Sequence, residues 1–149
     1  ALFGMFAGVY HWFPKMFGKM YNERVGKVAF WHLFVGFNTL YFPMFIMGWL
    51  GMPRRYFDYL PEFHIYHLIS TIGSWILIAG VLIMITNLIK ALVSGKKFTE
   101  KNPWGGETLE WQIETPPIHE NFYEIPTVHE TPYQYKQNES ETLKTPEVK

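Results

Sequence analysis

Two long runs of apolar positions dominate the chain. Residues 28–53 contain no Asp, Glu, Lys or Arg in 26 positions, residues 63–89 contain none in 27, and each run has 18 apolar residues. A bilayer core of about 30 Å takes roughly 20 apolar residues of helix, so both runs can cross it with tilt to spare. The pattern predicts two full transmembrane helices, 28–50 and 63–90. In the second, Ser70, Gly73, Ser74 and Gly80 are small enough to let a neighbouring helix approach closely, which is how helices pack where water supplies no driving force.

The flanks read differently. Residues 1–12 are apolar and rich in small side chains, but ten helical residues reach only about 15 Å. They lack the basic start and cleavage pattern of a signal peptide. This stretch predicts the end of one further transmembrane helix, within a larger polytopic protein or a split subunit. Lys15, Lys19, Arg24 and Lys27 precede the first span, and Lys90, Lys96, Lys97 and Lys101 follow the second. By the positive-inside rule both flanks, and with them the tail, lie inside, and the loop between the spans lies outside. From about Ser94 the character changes again. Six of the ten prolines lie beyond it, and residues 91–149 carry six basic and ten acidic side chains. Steps such as Glu114-Thr115-Pro116-Pro117 and Glu130-Thr131-Pro132 cannot propagate a helix, which predicts an extended cytoplasmic tail over 91–149, weakly structured or strapped along a partner. The transmembrane part is 1–90.

Composition sharpens this reading at two points. Over the 149 residues, 13 Lys and Arg balance 13 Asp and Glu, which argues against a nucleic-acid binder. The absence of cysteine removes disulfides, thiolate metal sites and a Cys nucleophile, so any redox chemistry belongs to a bound cofactor.

The most informative stretch is Gly51-Met52-Pro53-Arg54-Arg55-Tyr56. Two adjacent guanidinium groups at the outer end of an apolar helix call for an anionic partner. Arginine suits a planar carboxylate, because its fork donates two parallel hydrogen bonds and it does not lose its proton. The edge of a membrane cofactor, such as the propionates of a haem, fits that description; so do lipid phosphates. Leu33, Phe37, Leu40, Tyr41 and Met44 fall at i, i+4, i+7, i+8 and i+11, one helical face. Such a face suits either a flat macrocycle or plain helix packing.

The six histidines form no complete metal site. His64 and His67 have an i, i+3 spacing that can share a metal, yet no carboxylate completes the set and an interfacial, hydrogen-bonded role fits better. His32 reads as a helix–helix hydrogen bond or snorkelling group, and His11 as part of an aromatic turn. His119 and His129 lie in the proline-rich tail. There is no nucleophile elbow and no phosphate-cradling loop. These residues alone hold no complete catalytic site.

The run Gly48-Trp49-Leu50-Gly51-Met52-Pro53-Arg54-Arg55-Tyr56, with Asp58-Tyr59 after it, resembles the loop between the last two helices of subunit I of haem-copper oxidases. Further matches flank it. His11-Trp12-Phe13-Pro14 resembles the turn after that subunit's tenth helix, Val35-Gly36-Phe37-Asn38 with Phe42-Pro43 its eleventh, and Ser70 with Gly73-Ser74 its twelfth. Asn102-Pro103-Trp104, Thr108-Leu109-Glu110-Trp111, Pro116-Pro117 and Asn121-Phe122 are similar to the carboxy-terminal strap of bacterial members. The resemblance covers about residues 1–123.

That resemblance implies an all-α membrane protein: the end of one transmembrane helix, two full ones and a tail, part of a twelve-helix bundle. It implies that Arg54 and Arg55 bind the propionates of a low-spin and a high-spin haem, and that Leu33, Phe37, Leu40, Tyr41 and Met44 wall the low-spin haem. The ligands of both haems and of copper would come from residues outside this chain; no metal ligand is assigned within it. Phe45 departs from a His often found after Phe-Pro-Met in relatives, which leaves the ligand set untouched. The implied function is that of the carboxy-terminal part of a respiratory oxidase catalytic subunit, reducing dioxygen to water and pumping protons. The implied partners are the remainder of subunit I, subunits II and III, lipid, and cytochrome c or quinol as electron donor. The implied place is the bacterial plasma membrane or the mitochondrial inner membrane. The rival reading is a small membrane scaffold or assembly subunit that binds lipid and partner helices without touching a cofactor.

Overall fold

The computed structural model describes residues 2–106 and 108–127. His129 and Glu130-Thr131-Pro132 lie outside the described residues. Three helices carry the fold: α1 (Leu2–Phe17), α2 (Glu23–Trp49) and α3 (His64–Ser94). Two-residue strands, β1 (Lys19–Met20) and β2 (Lys96–Lys97), and single 3-10 turns at Pro61–Phe63 and Leu109–Trp111 complete the elements. The chain divides into two units, each described by itself.

The unit Tyr21–Lys96 is a helical hairpin. Glu23–Trp49, 27 residues, and Pro61–Ser94, 34 residues, are long and apolar enough to cross a membrane. Both helices overrun the spans expected from hydropathy. α2 starts at Glu23 rather than 28 because the side chain of Asn22 caps it, accepting from Val25 N at 3.2 Å; an amide at this position satisfies an otherwise unpaired N–H. α3 continues past Lys90 to Ser94, since lysine is a good helix former whose long stem carries its charge outward.

Glycines set the seam between α2 and α3. A methyl group at Gly36 would collide with the backbone of Leu77, one at Gly73 with Leu40 N, and one at Gly80 would stand 2.8 Å from Leu33 N. The neighbour admitted by Gly73 and Gly80 is thus α2, and Gly36 reciprocates from the other side. Leu33, Pro43, Met47, Met84 and Asn87 are buried there. The outward faces are also apolar, with Trp31, Phe45, Trp49, Trp75 and Leu82 exposed. A helix apolar all round belongs in a membrane or inside a larger bundle.

The second unit joins α1, β1 and the tail from Lys97. α1 does not stop at residue 12. It runs through Pro14 to Phe17, so His11-Trp12-Phe13-Pro14 is helix and not a turn. Proline inside a helix forfeits one hydrogen bond and strains the preceding turn, but here Phe13, Pro14 and Lys15 are buried, and that packing outweighs the local preference. The helix ends at Gly18, whose φ of +59° suits glycine. A side chain at Gly18 would meet Pro116 Cδ at 3.0 Å, and Phe98 N donates to Gly18 O at 2.8 Å. The tail is a strap along α1: Trp111, Ile113 and Thr115 are buried, whereas Glu110, Gln112 and Glu114 are exposed.

Candidate functional site

Residues 50–63 turn the chain from α2 into α3. The turn begins where Leu50 N and Met52 N bond back to Ile46 O and Met47 O at 2.9 and 3.0 Å, and where Gly51 takes a φ of +87°. A left-handed glycine just past a helix is the usual way of satisfying its last carbonyls. Pro53 then fixes the exit direction. Arg55 has a φ of +64°, a region that costs a residue with a Cβ about 1–2 kcal/mol.

Arg54 and Arg55 are exposed. Neither guanidinium makes a hydrogen bond or ion pair with any described residue, although two acids share the loop. Asp58 instead accepts from Tyr59 N at 2.8 Å through Oδ1, which folds it onto its own backbone. Pro53 and Tyr56, flanking the pair, line a cleft of about 440 Å³ whose walls combine Leu50, Met52 and Phe63 with the acids Asp58 and Glu62. The loop therefore presents two exposed cations beside a largely apolar recess that also carries Asp58 and Glu62. Such a donor set suits a planar dianion with an apolar body.

The five-residue face on α2 divides. Leu33 is buried, and Gly80 and Gly73 of α3 sit against the backbone at Leu33 and Leu40. Phe37, Tyr41 and Met44 remain exposed, at 41%, 49% and 47%. The rings of Phe37 and Tyr41 lie 4.6 Å apart at 47°. Helix packing takes up one edge of the stripe and leaves three adjacent side chains open.

At the start of α3, Tyr59 Oη and His64 Nδ1 lie 3.2 Å apart, and the Tyr59 ring is 4.1 Å from the His67 ring. Among the described residues no three His, Asp or Glu side chains gather as a metal site. His32 Nδ1 lies 2.8 Å from Val28 O, a bond within its own helix. His11 stacks on Trp104 at 6.0 Å and meets the Trp111 ring edge-on at 5.0 Å.

Lys15 stands in the sequence only as one of the charges that set topology, and Asn87 as an unremarked amide within the second apolar run. Lys15 is 4% exposed and its Nζ donates to Lys101 O at 2.9 Å, Ile113 O at 2.6 Å and Thr115 Oγ1 at 3.2 Å. Burial pushes its pKa below the usual lysine value; Lys101 adds to that shift and Glu110 opposes it. Asn87 is 6% exposed and binds the backbone of Asn22. The available signal was that an amide enclosed among apolar residues must find partners.

Residues 1–76 match the family model described as cytochrome c and quinol oxidase polypeptide I. The chain is similar to cytochrome c oxidase subunit 1 of Thermostichus vulcanus, with 42% identity over 91% of this chain and 24% of that protein. For Synechocystis sp. the identity to the same subunit is 44%, over 89% of this chain and 24% of the relative. For Corynebacterium glutamicum it is 45%, over 85% and 22%. The chain thus spans less than a quarter of the length of these relatives.

Proposed function

The chain belongs to the cytochrome c and quinol oxidase polypeptide I family, and from that premise we propose that it forms the carboxy-terminal part of the catalytic subunit of a haem-copper terminal oxidase. The whole subunit, with its partner subunits II and III, would take electrons from cytochrome c or quinol, reduce dioxygen to water and pump protons across the membrane. Two haems and copper supply that redox chemistry when bound, on ligands from outside this chain. The helices described here would be the last of a twelve-helix bundle, with the Arg54–Arg55 loop outside and the tail inside. The lysines and arginines that flank the two spans favour that orientation.

The observation that carries the reading is the Arg54–Arg55 loop, two exposed cations that the acids of their own loop leave unpaired. Arg54 and Arg55 would hold the haem propionates. Each can give a carboxylate two parallel hydrogen bonds. In a site poor in water this compensation stabilises the carboxylates in their ionised form. Phe37, Tyr41 and Met44 would form the wall beside the low-spin haem. Leu33 and Leu40 would support that wall from the helix seam rather than touch the ring.

The test is a reduced-minus-oxidised optical spectrum of the native membrane complex that contains this chain, with and without carbon monoxide. A low-spin haem band together with a carbon-monoxide-sensitive high-spin haem is the expected result. A complex without haem bands would overturn the oxidase reading and favour a scaffold.

A further inference from the structure

Lys15 is a buried ammonium group that pairs with no carboxylate among the described residues. It sits near the end of α1 with 4% of its surface exposed, and its three N–H bonds all go to neutral acceptors of the tail: Lys101 O, Ile113 O and Thr115 Oγ1. An ammonium has three donors and no acceptor, so the tail satisfies it completely. The Trp111 ring adds a face 5.9 Å from Nζ, a distance at which a cation is attracted to an indole. Thr115 completes the arrangement by donating its own hydroxyl to Glu100 O at 2.9 Å. One cation therefore ties together positions 100, 101, 113 and 115, both limbs of the strap.

Charge of this kind is costly to enclose without an anion. An apolar side chain of similar length would fill the space without that cost. What the ammonium adds is direction, since only three acceptors brought to the right points satisfy it. We propose that Lys15 is a latch that holds positions 100, 101, 113 and 115 of the strap closed over the end of α1, and that these positions open together, locally, when the latch is lost. The strap has other ties on either side of Lys101, Phe98 N to Gly18 O at 2.8 Å and Trp104 Nε1 to His11 O at 2.9 Å. Opening is therefore a local loosening between these ties, at Glu100 and Lys101 on one limb and at Ile113 and Thr115 on the other, and not a release of the whole tail. It returns the Lys15 cation to water. The latch is independent of the haem reading.

One detail gives the latch a direct readout. The Lys101 side chain is exposed, which makes it a target for trypsin, but the carbonyl of the bond to be cut is the one that accepts from Lys15 at 2.9 Å. The closed strap withholds that carbonyl from a protease. Limited trypsin digestion of the intact membrane complex, followed by mass spectrometry of the Lys101–Asn102 bond, compares the native chain with Lys15→Met. We expect slow cleavage in the native complex and cleavage faster by roughly tenfold or more in the variant, because proteolysis follows the population of the open form. Equal rates in the two complexes would overturn the latch. Should Lys15→Met fail to assemble, Thr115→Val removes one acceptor and leaves the cation. It should speed cleavage at the same bond by a smaller factor, and an unchanged rate there would equally overturn the proposal.

Discussion

Asn87 holds the backbone of Asn22 from both sides: its Nδ2 donates to Asn22 O at 3.0 Å, and its Oδ1 accepts from Asn22 N at 3.2 Å. One buried amide thus fixes the first residue of the hairpin against the last third of α3, and Asn22 in turn caps α2 through Val25 N. Replacing Asn87 by Leu keeps the branching at Cγ and removes both bonds. The Asn22 C=O keeps the bond from Gly26 N at 3.0 Å, but its N–H is left without a partner, a loss of about 1–3 kcal/mol. Thermal inactivation of the solubilised complex should shift to lower temperature in Asn87→Leu, and an unshifted midpoint would show that the amide pair is dispensable.

The glycines of the hairpin should separate into two classes. Gly36→Ala and Gly73→Ala each drive a methyl group into the facing backbone, and overpacking of this kind costs about 1–3 kcal/mol. Gly48 lies in the same helix as Gly36 with nothing within 4 Å of its would-be Cβ. Gly48→Ala should be neutral or stabilise by about 0.5–1 kcal/mol through helix propensity. The yield and heat stability of the three variant complexes check this contrast.

Lys15 should leave a signature in the pH dependence of stability. Its pKa in the folded chain lies below 10.5, first because of burial and then because of the Lys101 ammonium, with the Glu110 carboxylate acting in the opposite direction. Between the lowered folded value and 10.5 the unfolded chain binds more protons than the folded one, so stability rises with pH across that window. The rise should be present in the native complex and absent in Lys15→Met, measured as the difference between their thermal midpoints. A falling difference over the same window would contradict the burial of this cation.

The spans were legible in the sequence because charge-free runs of 26 and 27 residues admit few other structures. Their ends were not, since a capping asparagine and two helix-compatible lysines act outside the hydropathy pattern. The turn expected at His11-Trp12-Phe13-Pro14 is helix instead, because a proline is tolerated where the residues beside it are buried. The small residues Gly73 and Gly80 pointed to a close helix neighbour, but only the fold identifies that neighbour as α2. The Arg54–Arg55 pair stood out from residue type and place alone, whereas the division of the α2 face depends on which edge α3 covers. In the tail, Trp111-Gln112-Ile113-Glu114-Thr115 does alternate, yet five residues among prolines are too short a pattern to distinguish a strap from a solvated linker.

The most direct test of the account is a redox titration of the haems in the complex carrying Arg54→Leu. Removing a cation beside a propionate favours the more positive, oxidised haem, so the midpoint of the haem it serves should fall by several tens of millivolts; for one electron, about 59 mV corresponds to a tenfold change in equilibrium constant. A fall of that size with both haems still bound is the predicted result, and midpoints identical to those of the native complex would contradict the role assigned to Arg54.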